Sequence, residues 1–176
     1  MKKWLVLLLV MQGIILSAGA LAKEVRKMEK LTVTSTAFAE GAAIESKYTC
    51  DGKDVNPPLA IGAAPANTGS LALIMDDPDA PVGTWVHWVA WDIPPRTREI
   101  PENGIPVGAV QGRNSWNRND YGGPCPPSGT HRYYFKLYAL DTPLTLAPSA
   151  TKADLERAMQ GHVLAAGQLM GTYKRR

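Results

Sequence analysis

The sequence lacks the residue spacings that identify most metal sites and many hydrolases. It contains three histidines and two cysteines, but neither a His-x-x-x-His nor a Cys-x-x-Cys pattern. It also lacks the Gly-x-Ser-x-Gly motif, which in many hydrolases presents the catalytic serine on a sharp turn. The common metal-dependent and serine-dependent chemistries are therefore disfavoured.

Large net charge, internal repeats and low-complexity segments are absent as well. Apolar residues make up 45% of the 176 residues and charged residues 20%, which is the usual composition of a globular domain. The formal charge of +3 falls to +1 once Lys2 and Lys3 are set aside, and no broad basic face remains. We therefore predict one folded domain that does not bind nucleic acid.

A long uncharged, apolar run stands at the N-terminus. Two lysines precede it, and it ends in Ala20-Leu21-Ala22, which fits the small-x-small pattern of a cleavage site. We predict that Met1–Ala22 is a signal peptide, that residues 23–176 form the single domain, and that the mature protein is periplasmic or secreted. The alternative is an uncleaved anchor helix, because the run is nearly long enough to span a bilayer.

Export would place the two cysteines in an oxidising compartment, where disulfides persist. A bridge between Cys50 and Cys125 would close a loop of 75 residues. In the chain-entropy description it would stabilise the fold by up to about 4 kcal/mol. The alternative is a pair of unlinked, buried thiols.

Three apolar runs predict the main strands. The run Ser70–Asp77 is continuous and ends in two acids, as expected of a central buried strand. The runs Thr84–Ile93 and His131–Asp141 are rich in aromatic and β-branched residues. Strands therefore fill most of the chain before any helical pattern occurs, and the predicted class is mainly β with peripheral helices.

Helical periodicity is confined to the C-terminal part. Thr151 is a candidate N-cap with Asp154 three residues later, and apolar residues follow at helical spacing. We expect Gly161 and Gly167 to divide this region into two short helices. Residues 169–173 either extend the second helix or return as a strand.

Period-two alternation predicts which side chains of the long strands share a face. His87 is expected on the same face as Val89 and Trp91, and His131 on the same face as Tyr133. His131 opens its strand directly after a stiff loop rich in proline and glycine. That position favours a functional histidine, since a packed histidine would more naturally lie in the middle of a strand.

The turn Asp76–Pro81, with the sequence DDPDAP, follows the most apolar strand. Its prolines restrict the residues before them to extended conformations, so that the turn has few alternatives. A solvated acidic turn would not need this stiffness. We therefore expect Asp77 to join the histidines and the tyrosine at the ends of the strands.

Two of the three sites that these side chains could build are catalytic. Asp77, His87 and His131 could form a metal set of two histidines and one carboxylate, although the familiar spacings are missing. A hydrolase would need a nucleophile close to this set. The candidate nucleophiles are Ser115, Ser128 and Cys125. Oxidation of the cysteine would remove its thiolate, and the serines lack a motif.

The third site is a pocket for an anion. Imidazoles, a phenol and the amides of a rigid loop supply donors that suit phosphate oxygens. The prolines are expected to point the remaining amides inward, such as that of Gly123, without an entropy cost on binding. Asp77 would orient a histidine or help to charge it. We therefore favour the anion site.

Several segments resemble the phosphatidylethanolamine-binding protein family, whose members are also called Raf-kinase-inhibitor-like proteins. The resemblance lies in DDPDAP, in the pair His87-Trp88 and in GGPCPPSGTHRYYF, which covers Gly122–Phe135. Within the family, the sequence is most similar to the bacterial branch typified by YbhB and YbcL. The resemblance extends from about Leu31 to Tyr173.

The resemblance implies a large central β-sheet packed against a smaller sheet, with short C-terminal helices. It also implies a ligand pocket, with a proline peptide near the DDPDAP turn that is commonly cis and with Asp51 beside it. The implied ligand-binding residues are Asp77, His87, Gly123, Pro124, His131 and Tyr133. The pocket would need no metal and no cofactor, and it would contain no catalytic residue.

The function that this resemblance implies is non-catalytic binding of phosphate-type anions or phospholipid head groups, which would permit contact with a membrane surface. The alternative is a protein-docking inhibitor that holds a protease or a kinase-like partner at the mouth of the same pocket. The oligomeric state is left open.

Overall fold

The structure, a computed structural model, describes residues 28–175. In chain order its elements are β1 (Glu29–Lys30), β2 (Val33–Thr34), a 3-10 helix (Ser46–Tyr48), β3 (Leu59–Ile61), β4 (Ser70–Asp77), β5 (Trp85–Ile93), β6 (Glu99–Ile100), β7 (Val110–Gln111), β8 (His131–Leu140), α1 (Lys152–Ala158) and β9 (Val163–Tyr173). The predicted signal peptide, Met1–Ala22, lies outside the described residues. Within the described range, no helix combines the length and the apolar character needed to cross a membrane.

Two sheets make up the fold. The large sheet has six strands in the order β1-β9-β8-β4-β5-β7, and the small sheet has three in the order β2-β3-β6. Neighbouring strands are antiparallel, except that β1 runs parallel to β9. All eight residues of β4 are buried between β8 and β5, as its uninterrupted apolar sequence predicted. The predicted mainly β fold with a large and a smaller sheet is confirmed.

The large sheet is covered on both faces. Leu73 and Phe135 pack with Leu59 of the small sheet in one apolar core. Ile74 belongs to a second core on the opposite face, together with Leu155 of α1. Because consecutive residues of β4 alternate between the two cores, both faces gain about 1.5–3 kcal/mol from each buried aliphatic side chain.

The C-terminal region contains one helix where two were predicted. Thr151 and Asp154 form the predicted capping box of α1, and the helix ends before Gly161, whose φ is +81°. The second predicted helix is wrong, because Val163–Tyr173 forms β9 and pairs with β8 along its length. At Gly167 a Cβ atom would lie 1.8 Å from the Leu31 carbonyl oxygen. Close packing of the N-terminal segment on β9 therefore overrides the helical spacing.

A bulge in β5 determines the direction of His87. Met75 of β4 pairs with Trp88, but the next residue, Asp76, pairs with Val86. His87 is therefore an extra residue without a partner on β4, which is the defining feature of a β-bulge. One extra residue shifts the alternation of side chains by one position.

The shared face predicted for His87, Val89 and Trp91 is consequently wrong. Val89 and Trp91 pack in the core beneath α1. His87 instead contacts Tyr133, whose side chain lies on the face that packs against the small sheet. The bulge thus turns His87 toward the side of the sheet on which His131 and Tyr133 were predicted to lie.

Candidate functional site

A cleft of about 220 Å³ lies at the end of the large sheet where β4 finishes and β5 and β8 begin. Asp77, His87 and His131, which were predicted to meet, all line it. The other lining residues are Ala80, Pro81, Val82, Trp85, Trp116, Cys125 and Pro127. The cleft therefore combines three polar side chains with a wall that is mostly apolar.

His87 is fixed in one orientation by the backbone. Its Nδ1 lies 2.7 Å from the Gly122 carbonyl oxygen, and the residue is 2% exposed. Since a carbonyl oxygen only accepts hydrogen bonds, Nδ1 carries a proton, and Nε2 is the position that gains or loses one. Burial lowers the pKa of His87 below its ordinary value of 6.5. In the neutral ring, Nε2 is therefore a hydrogen-bond acceptor.

His131 is oriented in the same way by a carboxylate. Its Nδ1 lies 2.7 Å from Asp77 Oδ2, and both residues are buried. The other oxygen of Asp77 accepts the Asp79 amide at 2.8 Å, and Asp79 pairs in turn with Arg132. Because Asp77 lies at the end of β4 and enters a stiff turn, it holds the imidazole firmly. No peptide bond among residues 28–175 is cis, so the cis proline implied for this turn is not present.

Tyr133 separates the two imidazoles. Its ring lies edge to face with His87 at 5.2 Å and nearly parallel to His131 at 6.5 Å between centroids. The Tyr133 hydroxyl is buried without a hydrogen-bond partner among the described residues, and burial raises the pKa of Tyr133 above its ordinary value. Tyr133 therefore supports the two rings, and it does not present its hydroxyl to the cleft.

Gly123 and Pro124 lie behind the cleft and do not line it. The Gly123 amide donates to Asp54 Oδ1 at 2.7 Å, so the expectation that it points into the cleft is wrong. The Pro124 carbonyl accepts the amide of Cys50 at 3.2 Å. At Gly123 a Cβ atom would lie 2.5 Å from the Tyr48 carbonyl oxygen. Glycine is needed here because two loops touch.

The predicted bridge between Cys50 and Cys125 is present, with 5.5 Å between the Cα atoms. It joins the same two loops, and Cys125 forms part of the cleft wall. A disulfide sulfur has no thiolate, so the nucleophilic role considered for Cys125 is wrong. The bridge fixes one wall of the cleft instead.

Two other residues discussed from the sequence lie away from the cleft. The Ser115 hydroxyl accepts the Val86 amide at 2.9 Å and is not part of the cleft wall. Asp51 accepts hydrogen bonds from the Tyr173 hydroxyl and from Arg175, and the Arg175 guanidinium lowers the pKa of Asp51. Neither residue can contact a ligand in the cleft directly.

Trp116 is the main cleft residue that sequence reasoning missed. Its ring contacts those of Trp85 at 5.3 Å and His87 at 5.1 Å. Asn114 sets its position, because Asn114 Oδ1 accepts the amides of both Trp116 and Arg118 at 3.0 Å. The only signal in the sequence was the turn-forming segment Asn-Ser-Trp-Asn, which gives no direction for the tryptophan.

The charges around the cleft are already paired. No lysine or arginine among the described residues lines it. The Arg132 guanidinium donates two hydrogen bonds to Asp79, and Arg118 Nε lies 3.1 Å from Asp120 Oδ1. Among residues 28–175, no group of three or more His, Cys, Asp or Glu side chains is arranged to hold a metal ion.

Asp76, which precedes Asp77, lies on the opposite face of the sheet and pairs with two lysines. Asp76 is buried and lies 2.8 Å from the Lys136 ammonium and 2.5 Å from that of Lys152. Lys152 belongs to α1, so the pairing ties the helix to β4. The two consecutive acids therefore have different roles. Asp77 orients His131 at the cleft, and Asp76 binds the helix on the opposite face of the sheet.

The chain is similar to known proteins over most of its length. Residues 34–174 match the family model described as phosphatidylethanolamine-binding protein. A UPF0098 protein of Pyrococcus abyssi is 49% identical over 158 residues, which cover 84% of this chain and 88% of the relative. A UPF0098 protein of Aquifex aeolicus is 47% identical over 152 residues, covering 82% of this chain and 89% of that protein.

Two solved structures share the fold. One is a phosphatidylethanolamine-binding protein homolog of Chlamydia trachomatis, with a TM-score of 0.81 and 40% identity, covering 84% of this chain and 99% of that chain. The other is YbcL of E. coli, described as a member of the mammalian family, with a TM-score of 0.78 and 29% identity at the same coverage.

Proposed function

The chain belongs to the phosphatidylethanolamine-binding protein family, and from that premise we propose that it is a non-catalytic binding protein for phosphate-type anions or phospholipid head groups. The ligand would lie in the cleft between Asp77, His87 and His131. The cysteine that could have served as a nucleophile there is oxidised, which supports binding without chemistry.

One observation carries the proposal. In both cleft histidines Nδ1 is bound to an internal acceptor, namely the Gly122 carbonyl for His87 and the Asp77 carboxylate for His131. Among the described residues, no protein group bonds to either Nε2 atom, and neither atom is among the buried groups without a partner. Two oriented imidazole edges are therefore available to one guest in the cleft.

The apolar wall strengthens such a site. Trp85, Trp116 and Pro127 replace water on the sides of the cleft. Hydrogen bonds to a guest are stronger in such an environment than in water, because the local dielectric constant is low. The same wall can contact the carbon atoms attached to a phosphate group.

Calorimetry with inorganic phosphate and phosphoethanolamine between about pH 5 and 7.5 tests the proposal, since an ordinary histidine titrates in this range. We expect His131→Gln to weaken binding about tenfold, which is the effect of losing one hydrogen bond to a charged group. His162→Gln is the matched control, because His162 also pairs with a carboxylate, that of Asp141, but lies outside the cleft. No detectable binding of either compound at millimolar concentration would refute the proposal.

A second function is favoured by the mouth of the cleft. Val82 is 79% exposed and Trp116 is 38% exposed, so that an apolar rim surrounds the polar floor. Such a rim could hold a peptide loop of a protease or of a kinase-like partner. In a pull-down against a purified candidate partner, Val82→Ser should abolish capture while His162→Gln preserves it. Equal capture by both variants would show that the rim is not the docking surface.

We also propose that the protein is exported and acts in the periplasm or outside the cell. The Cys50–Cys125 disulfide supports this location, because disulfides persist in oxidising compartments and are rare in the cytosol of most organisms. Fractionation of cells followed by detection of the protein tests it. Recovery in the cytosol alone would contradict export.

A further inference from the structure

We propose that the cleft selects phosphate monoesters and inorganic phosphate in the singly charged form that retains a P–OH proton, and that it discriminates against phosphodiesters. This inference rests on the proposed function and narrows its ligand class. It follows from the hydrogen-bonding character of the two imidazole edges, and from the fact that the described residues place no lysine or arginine in the cleft wall.

His87 supplies an acceptor. Its Nδ1–H donates to the Gly122 carbonyl at 2.7 Å, which leaves a lone pair on Nε2 of the neutral ring. The ring is buried against Tyr133 and Trp116, and neither of these aromatic rings can balance a positive charge as a carboxylate would. An anionic oxygen facing this lone pair would be repelled, whereas a P–OH group would donate to it.

His131 supplies the complementary donor. Its Nδ1–H donates to Asp77, so any further proton on the ring lies on Nε2, where it can bind an anionic oxygen of the same phosphate. The pair of edges therefore suits a ligand that offers one P–O⁻ and one P–OH. A phosphodiester has anionic oxygens but no P–OH.

The charges of the cleft favour the same ligand. Asp77 balances any positive charge on His131, so this pair adds no net positive charge to the cleft. Arg132 is paired with Asp79 and Arg118 with Asp120. Sites that bind doubly charged phosphates usually supply arginine or lysine, and the part of the chain that the structure describes contributes neither to the wall of this cleft. A second negative charge on the ligand would thus be uncompensated.

The groups that influence His87 come from two neighbouring strands. Asp77 and Asp76 of β4 favour its charged form, but Asp77 is bound to His131 and Asp76 faces the opposite side with two lysines. From β8, Tyr133 and His131 face it. None of these groups offers a free carboxylate to a protonated His87, so the neutral acceptor form is the one that the geometry supports.

The inference predicts a proton linkage. A phosphate monoester loses its second proton with a pKa of about 6. Above this pH most of the free ligand has lost this proton, so each binding event must restore one proton to the ligand. Affinity for methyl phosphate should therefore fall about tenfold for each pH unit between about 6.5 and 8.

The experiment is calorimetry of the full mature protein with methyl phosphate and dimethyl phosphate at pH 6, where about half of the monoester carries its proton. We expect dimethyl phosphate to bind about tenfold more weakly or worse, which corresponds to about 1.4 kcal/mol. In His87→Gln the side-chain amide can also donate, so the difference between the two esters should shrink. In His162→Gln it should be unchanged.

The outcomes separate the inference from the proposed function. Equal affinity for the two esters in the wild type, or an affinity that does not change between about pH 6.5 and 8, overturns the inference and leaves anion binding intact. Failure of both esters and of inorganic phosphate to bind overturns both. Because the comparison of esters uses the wild type, it decides the question even if His87→Gln does not fold.

A vesicle assay distinguishes the sources of a monoester. Phosphatidic acid is a lipid monoester, whereas phosphatidylethanolamine and phosphatidylcholine are diesters. Sedimentation with phosphatidylcholine vesicles that contain phosphatidic acid, reversed by methyl phosphate, identifies a lipid monoester as the ligand. Binding of methyl phosphate without such sedimentation identifies a soluble monoester, and both results support the inference. Equal sedimentation with vesicles made of the diester lipids alone contradicts it.

Discussion

Removal of the Cys50–Cys125 disulfide tests how much of the stability depends on the junction beside the cleft. The bridge closes a loop of 75 residues. For a loop of this length the chain-entropy relation gives a contribution of about 4 kcal/mol, because the bridge restricts the unfolded chain. The total stability of a domain is about 5–15 kcal/mol, so the loss would be a large part of it.

The variant for this test is Cys50→Ala combined with Cys125→Ala, which leaves no free thiol. Urea unfolding should show a free energy of unfolding lower by about 4 kcal/mol, with a larger dependence on urea because the unlinked chain expands more fully. The wild type in excess dithiothreitol should approach the same value. Three hydrogen bonds, from Gly123 to Asp54, from Cys50 to Pro124 and from Tyr121 to Tyr48, still join the loops, so the variant should fold.

A loss below about 1 kcal/mol would refute this reasoning, because it would mean that the unfolded chain gains little freedom when the bridge is removed. The effect on the ligand is a separate measurement. Cys125 forms part of the cleft wall, so phosphate binding should weaken at temperatures at which the variant is still folded. Unchanged affinity would show that the hydrogen bonds between the loops position the wall without the bridge.

Three further predictions concern packing, pH and processing. Gly167→Ala should lower the free energy of unfolding by more than about 2 kcal/mol, because the new Cβ would lie 1.8 Å from the Leu31 carbonyl oxygen. The control Gly104→Ala should have a small effect. Equal urea midpoints for the two variants would contradict this prediction. The Arg132 guanidinium lowers the pKa of Asp79 to about 2. The wild type should therefore lose about 1 kcal/mol of its free energy of unfolding as the pH falls from about 4 to 2, and Asp79→Asn should lose less. Equal losses in acid titrations monitored by circular dichroism would contradict the pairing. Mass spectrometry of the protein from an exporting bacterium should find Lys23 as the first residue, and a chain that begins at Met1 would contradict cleavage.

Most of the large sheet could be predicted because its strands are continuous apolar runs. The predicted strand Ser70–Asp77 has the bounds of β4, and the other two predicted strands agree with β5 and β8 to within one residue at each end. β9, Val163–Tyr173, was predicted only as one of two alternatives for residues 169–173, because its residues alternate poorly and include small side chains. Small residues are needed in β9 because the N-terminal segment packs closely on it, as Leu31 does at Gly167. A contact between segments so far apart in the chain cannot be read from the sequence of β9 alone.

The candidate site was predicted in part for similar reasons. Asp77 and His131 stand where strands end, and strand ends can be read from the sequence. The direction of His87 could not be read in this way, since it depends on the register between β4 and β5. The Gly123 amide is bound by Asp54, a residue far away in the chain, so its use as an anion donor could not be excluded beforehand.

The direction of the His87 side chain depends on the one-residue bulge in β5, so a change in the length of this strand can alter the site. A deletion of Val86 would remove the extra residue and place His87 opposite Asp76, so that its imidazole would point toward the helix side of the sheet. Ligand choice in this fold can thus be altered by the number of residues between two fixed points, without replacing any side chain that meets the guest. Relatives that keep both histidines but differ in that count would be expected to differ in what they bind.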